Sequence, residues 1–366
     1  MKFTIQRESL MKPLQLVSGV VERRQTLPIL SNVLLSVSKD RLTMTGTDLE
    51  VEMQTKVAID KAEAGEVTLP ARKFMDICRA LPDQANLVIS IDNERAMIKS
   101  EKSRFVLATL PAGDFPNIET KKAVLTFSLS QQKLKELLDR THFAMANQDV
   151  RYYLNGMLLE LSDQNIRLVA TDGHRLALCE ITADIKTQEN QQVIIPRKGV
   201  LELLRLLDDT DTPVEVQLGT NYLRVTGEEL SFTSKLVDGR FPDYQNVVPK
   251  GGDKDIVCNR DVLKQALNRV SILSNEKYRG VRLQFASGIL KIFAHNPEQE
   301  EAEEEVAIDY NGEGLEIGFN VSYLLDAISA TPKEQVQMTL SDANSCCLIH
   351  GLSETDCKYV VMPMRL

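Results

Sequence analysis

The string Thr171-Asp172-Gly173-His174-Arg175-Leu176 sets a carboxylate and an imidazole two residues apart, a pairing that general acid–base catalysis could use. Its Asp-Gly step is also the strongest short-range hairpin signal, and it lies between the apolar runs Leu168-Val169-Ala170 and Leu176-Ala177-Leu178. The favoured reading is a tight turn that displays one or two side chains. A related turn, Thr47-Asp48-Leu49-Glu50, has no histidine, which gives His174 a surface role of its own and not a role in folding. No Gly-x-x-x-x-Gly-Lys loop, Gly-x-Gly-x-x-Gly, His-Glu-x-x-His or Gly-x-Ser-x-Gly occurs. An enzyme built on Asp172 and His174 is therefore a rival reading, and no cofactor or metal is implied. The six cysteines show no Cys-x-x-Cys pair, so neither a zinc site nor a disulfide framework is expected.

Two further strings have the makings of binding surfaces. Gln148-Asp149-Val150-Arg151-Tyr152-Tyr153-Leu154-Asn155 packs an arginine and two tyrosines into a loop that enters a strand. The closing Tyr359-Val360-Val361-Met362-Pro363-Met364-Arg365-Leu366 is apolar. It reads either as a last strand tucked into its own core or, because two methionines flank a proline, as part of a pliable apolar groove.

The elements that position these strings follow a repeat. Phe3-Thr4-Ile5, followed by Leu10, Leu14 and Val17, matches Phe127-Ser128-Leu129 followed by Leu134, Leu138 and Thr141. Thr47-Asp48 matches Thr171-Asp172, Val67-Thr68-Leu69-Pro70 matches Val193-Ile194-Ile195-Pro196, and Phe115-Pro116 matches Phe241-Pro242, a period of about 125 residues. A fainter third copy places a first helix at 263–267, aligns 279–283 with 155–159, and heads a second helix with Leu324-Leu325. Three domains are expected, at 1–121, 122–248 and 249–366, in a chain of 366 residues. Each reads as two β-α-β-β-β halves, an α+β architecture. Strand alternation is plain at 87–91 and 214–218, and a period of 3.6 places Phe74, Ile77, Cys78 and Leu81 on one stripe.

The formal charge of -9 excludes a simple basic nucleic-acid binder. Aromatics are only 5% and Trp is absent, which argues against a protein that grips ligands mainly by stacking. Yet the helices are locally positive: Arg72, Lys73 and Arg79 in one second helix, Arg197, Lys198 and Arg205 in the next. The acid is concentrated elsewhere, most visibly from Glu298 to Glu305. A solvated surface explains any one such face, but not the recurrence of one sign on equivalent helices. With no apolar leader and no run of 18 apolar residues, the expected location is the cytoplasm, not a membrane.

At these residues the chain resembles the bacterial DNA polymerase III beta subunit family, the sliding clamps, over its whole length. The resemblance rests on Thr47-Asp48-Leu49-Glu50, 149–156, 171–176, Ser274-Asn275-Glu276-Lys277, Asn296-Pro297-Glu298-Gln299-Glu300 and the closing 360–366. It implies a head-to-tail dimeric ring of six clamp domains, helices inside and sheets outside, that encircles double-stranded DNA without reading its sequence. It further implies that DNA polymerases, the clamp loader and other clamp-motif proteins bind a peptide groove. That groove would comprise Leu154, Thr171, Gly173, His174, Arg175, Leu176, Pro242, Val247, Val360, Val361, Met362, Pro363, Met364 and Arg365, with Arg151, Tyr153, Asn320 and Tyr323 adjoining. Asn246 departs from the arginine that many members carry on the rim. For DNA the resemblance points to Arg24, Gln148, Tyr152 and Arg240 beside the basic helices. For the homodimer it points to Phe105 and Leu107 meeting Ile272 and Leu273, with Lys73, Lys99 and Arg104 facing the glutamates of 298–305. A second rival, an acidic scaffold that binds only proteins, differs in lacking a hole through which DNA is retained.

Overall fold

The computed structural model describes residues 1–21, 27–118, 122–187 and 189–365. The first copy runs β1 (Lys2–Gln6), α1 (Arg7–Val20), β2 (Asn32–Ser38), β3 (Arg41–Thr47), β4 (Val51–Ala58), β5 (Asp60–Glu63), β6 (Gly65–Pro70), α2 (Ala71–Ala80), β7 (Asn86–Asp92), β8 (Arg95–Ser100) and β9 (Ser103–Ala108). The second has β10 (Leu125–Ser130), α3 (Gln131–Asp139), β11 (Gly156–Ser162), β12 (Asn165–Thr171), β13 (Arg175–Thr182), β14 (Gln191–Pro196), α4 (Arg197–Leu206), β15 (Pro213–Leu218), β16 (Tyr222–Thr226) and β17 (Leu230–Lys235). The third has β18 (Lys254–Asn259), α5 (Arg260–Ser271), β19 (Gly280–Ala286), β20 (Ile289–His295), β21 (Glu301–Ala307), β22 (Leu315–Asn320), α6 (Val321–Ala330), β23 (Gln335–Leu340), β24 (Cys347–Gly351) and β25 (Cys357–Val361). The expected pair of β-α-β-β-β halves is present in each copy, with β5 added in the first.

Local chemistry explains the helices. In α1, Leu10, Leu14 and Val17 recur at helical spacing and are fully buried, and α2 buries Phe74 and Cys78 one turn apart. The Asn259 side chain accepts from the amides of Asp261 and Val262, and Asn320 accepts from those of Ser322 and Tyr323, so α5 and α6 each begin on a capping asparagine. None of the described helices is long and apolar enough to cross a membrane.

The sheets do not respect the repeat. One eight-stranded sheet has the order β10-β15-β16-β17-β4-β3-β2-β6, so the second copy's last strand pairs antiparallel with the first copy's β4. Another has the order β14-β11-β12-β13-β25-β24-β23-β18, where the third copy's last strand pairs with the second copy's β13 in the same manner. Two smaller sheets, β5-β1-β7-β8-β9 and β21-β20-β19-β22, complete the set. Accordingly the chain divides into two compact units, residues 1–135 with 198–236 and residues 136–197 with 237–366. The middle copy is shared between them because continuous ladders bind half of it to each neighbour.

Cys179 on β13 lies directly opposite Cys357 on β25 with their Cα atoms 4.1 Å apart, so the fold brings together two cysteines 178 residues apart in sequence. Spacing could not reveal it, since the pairing follows from a ladder between copies. Both residues are buried. Denatured without reductant, the chain should react with six equivalents of a thiol reagent, as six reduced cysteines require. Four equivalents before reduction and six after it would mean that Cys179 and Cys357 are joined.

Candidate functional site

The turn between β12 and β13 is built by its own side chains. Thr171 Oγ1 donates to the Arg175 carbonyl (2.6 Å) and accepts from the Gly173 amide (3.1 Å). Asp172 Oδ1 accepts from the amides of His174 (2.9 Å) and Arg175 (3.0 Å). Gly173 has φ of +87°, a backbone conformation that residues with a side chain rarely adopt, so the turn favours glycine there; the Arg151 guanidinium lies against it at 3.0 Å from where a Cβ would stand. The Asp172 carboxylate is thus consumed by the turn, which disposes of the acid–base pair with His174.

Strand alternation then aims Leu176 and Leu178 at the face that also carries Leu158 and Val169, and Val360 stands opposite Leu176 on β25. These residues form one apolar cluster with Ile194, Phe241 and Tyr244. Around it Tyr153, Val247, Val248, Cys346 and Leu348 are only partly buried, leaving an apolar rim open to a ligand. Cys346, Leu348 and Val248 were not foreseen, although Leu348 pairs with Val360 on β24 and alternation along that strand would have reached it. Leu154, expected in the groove, is 1% exposed and is not a member of this cluster. Pro242 is exposed beside the cluster residue Phe241.

Arg175 forms the polar end of the groove and is engaged through all three guanidinium nitrogens. It donates to Asp172 Oδ2 (3.1 Å) and the Phe143 carbonyl (2.7 Å), pairs with Asp326 on α6, and lies 4.5 Å over the Tyr323 ring. Burial pushes the Tyr323 hydroxyl above its ordinary range. His174 faces the same ring at 6.5 Å, and Asn320 caps the helix that carries it, so the polar members expected at this end do gather. The tail divides. Val361 sits in the ladder opposite Arg175, and the Met362 amide donates to the His174 carbonyl (2.9 Å). Beyond Pro363, Met364 and Arg365 line a recess of about 970 Å³ with Arg282, His295 and Glu303, and the Met364 amide donates to the Gly318 carbonyl.

The basic residues are less free than their sequence implied. Lys198 pairs with the nearly buried Asp48 (2.5 Å), Arg205 with Glu202 (2.9 Å), Arg72 loosely with Asp76 (4.0 Å), and Arg197 donates to the Met145 carbonyl (3.2 Å). Burial raises the Glu202 carboxyl above its ordinary range. Lys73, Arg79, Gln148, Tyr152 and Arg240 are exposed; Arg24 lies outside the described residues. Phe105 and Leu107 are half-buried on β9, Leu273 is half-buried, and Ile272 is 75% exposed at the end of α5. The glutamates expected to face another protomer are partly committed at home: Glu304 to Arg269 (2.9 Å), Glu305 to Lys291 (2.8 Å).

A threefold α+β repeat, an apolar groove with a polar end built around Arg175, and an Asp172 carboxylate tied up in its own turn define a non-catalytic binding protein. The sequence matches the DNA polymerase III beta subunit N-terminal, central and C-terminal domains at residues 1–119, 128–243 and 245–365. It is 59% identical to a Pseudomonas aeruginosa beta sliding clamp and 52% identical to that of Escherichia coli, each over 100% of both chains. The fold matches a P. aeruginosa sliding clamp solved with griselimycin bound, at a TM-score of 0.97, 59% identity and full coverage of both chains. The chain belongs to the DNA polymerase III beta subunit family.

One loop of the site carries a measurable charge signature. Asp149 accepts from Arg151 Nε (3.1 Å) and Nη2 (2.9 Å), and these bonds hold its carboxyl at about 2, below the ordinary 3.8. A lowered carboxylate stabilises the loop above its ordinary range, and that contribution is lost as pH falls through about 2. The Asp149 carboxyl carbon, followed by NMR, should titrate near 2; a midpoint near 3.8 would mean that the ion pair does not form in solution.

Proposed function

We infer that this chain is a DNA sliding clamp, a processivity factor that encircles duplex DNA and tethers polymerases and the clamp loader through its peptide groove. The observation that carries the reading is the repeated seam. β17 closes on β4 and β25 closes on β13, while β9 and β21, which hold the corresponding places, end their sheets. Open strand edges invite pairing. β9 and its neighbour β8 carry Arg104, Lys99 and Arg95, whereas β21 exposes Glu301, Glu303 and Glu305. Pairing β9 of one protomer with β21 of another repeats the internal seam head to tail, and two protomers then close six domains into a ring with helices inward. Phe105 and Leu107 would meet Ile272 and Leu273 there. We place the domain boundaries at 1–121, 122–248 and 249–366, supported by the extents of the family matches.

The exposed Lys73, Arg79, Gln148, Tyr152 and Arg240, with Arg72, Arg197, Lys198, Arg205 and Arg24, would centre the duplex without reading bases. Their number is small and several are paired within the fold, so retention rests on topology. The groove takes a short apolar peptide between Leu176, Val247, Val360 and Met362. The protein works in the cytoplasm, where the chromosome is copied.

Loaded onto nicked circular DNA by a clamp loader with ATP, the protein should remain bound at about 0.5 M salt, where exposed phosphate contacts are largely screened. It should leave rapidly once the circle is cut; equal loss from circle and linear DNA would refute encirclement. Replacing Ile272 and Leu273 together by Ala should weaken association by about 2 to 5 kcal/mol and yield folded monomer. A dimer unchanged in sedimentation at sub-micromolar concentration would place the interface elsewhere.

A further inference from the structure

The segment 241–248 forms one wall of the groove, and the backbone hydrogen bonds it makes close within it: the amides of Val247 and Val248 both donate to the Tyr244 carbonyl, at 3.0 and 3.3 Å. Phe241 and Tyr244 bury their rings in the apolar cluster, an attachment without direction. The directional tie is the Tyr244 hydroxyl. It accepts from Arg167 Nη1 (2.9 Å) and donates to Glu160 Oε2 (3.3 Å).

Register explains why these groups meet. Glu160 stands opposite Arg167, and Arg167 opposite Glu180, one row beyond Leu158, Val169 and Leu178 on the same face. Arg167 is forked between the two carboxylates, reaching Glu160 Oε1 at 2.9 Å and Glu180 Oε2 at 2.8 Å from Nε. Gln192 holds Glu160 Oε2 at 2.7 Å. Burial raises the Tyr244 phenol above its ordinary range, so it keeps the proton it donates.

We propose that Arg167 is a positioning residue of the groove: through the Tyr244 hydroxyl it sets the height at which Val247 and Pro242 wall the ligand. The proposal rests on the reading of this groove as the partner site. Arg167 itself touches no ligand. The ladder partners keep its charge satisfied when the phenol is removed, so loss of the tie releases the wall without dismantling the sheet.

The test uses the full-length dimer and griselimycin, the compound bound by the P. aeruginosa clamp. Tyr244→Phe, which deletes one oxygen and keeps the ring, should weaken griselimycin by about three- to tenfold, the worth of one net hydrogen bond. Arg167→Met should do the same, and the double variant should be no weaker than Arg167→Met alone. Hydrogen exchange should quicken at the Val247 and Val248 amides while β12 and β13 keep their protection. Wild-type affinity and exchange in Tyr244→Phe would overturn the proposal, as would a uniform loss of protection across the sheet. Should Arg167→Met not fold, Tyr244→Phe decides alone. Failure of the unaltered protein to bind griselimycin, or binding that survives removal of residues 362–366, would instead overturn the groove reading.

Discussion

Pairing of strand edges between successive copies is the interaction on which the rest of this structure depends. A β-α-β-β-β half ends in a strand whose outer amides and carbonyls have no partner, and leaving such an edge bare invites uncontrolled association. The chain resolves this twice in the same way, β4 with β17 and β13 with β25. Buried pairs across the first seam, such as Met53 opposite Phe232, show that it is packed as core and not as a loose abutment. Repetition of one seam also supplies a rule for assembly, because copies joined head to tail always leave one edge of each kind.

The groove is a consequence of the second seam. Leu176 and Val360 come from strands far apart in sequence and are neighbours because β13 and β25 are in register. The same ladder brings Arg175 opposite Val361 and delivers Met362 to the His174 carbonyl. Arg175 is anchored by two carboxylates and a carbonyl, so its guanidinium shapes the wall instead of searching for a ligand anion. A site of this kind is pre-formed, which limits the ordering a bound peptide must impose.

Charge works at two ranges. Overall the chain is acidic at -9 and repels polyanions at a distance, while Lys73 and Arg79 are exposed and leave α2 locally positive. Within the first unit, Lys198 has a structural duty, neutralising the almost buried Asp48 at the seam between copies. The positive sign of the equivalent helices therefore has packing as one of its causes.

Much of this was legible in the sequence, for a definite reason. Helix stripes such as Leu10, Leu14 and Val17, strand alternation, the Asp-Gly turn and the repeat are all encoded by neighbours a few residues apart, so spacing alone determined them. The signature strings identified the family because side-chain types there serve binding as well as folding. Pairing between distant strands is different, since it is made by backbone groups common to every residue and leaves no mark in composition. Only the tertiary structure decided that the sheets cross the repeat, that Cys179 meets Cys357, and that Leu154 is buried. It alone brought Arg167 beneath Tyr244. Each of these depends on which rungs of a long-range ladder coincide, a quantity fixed by the packed core as a whole.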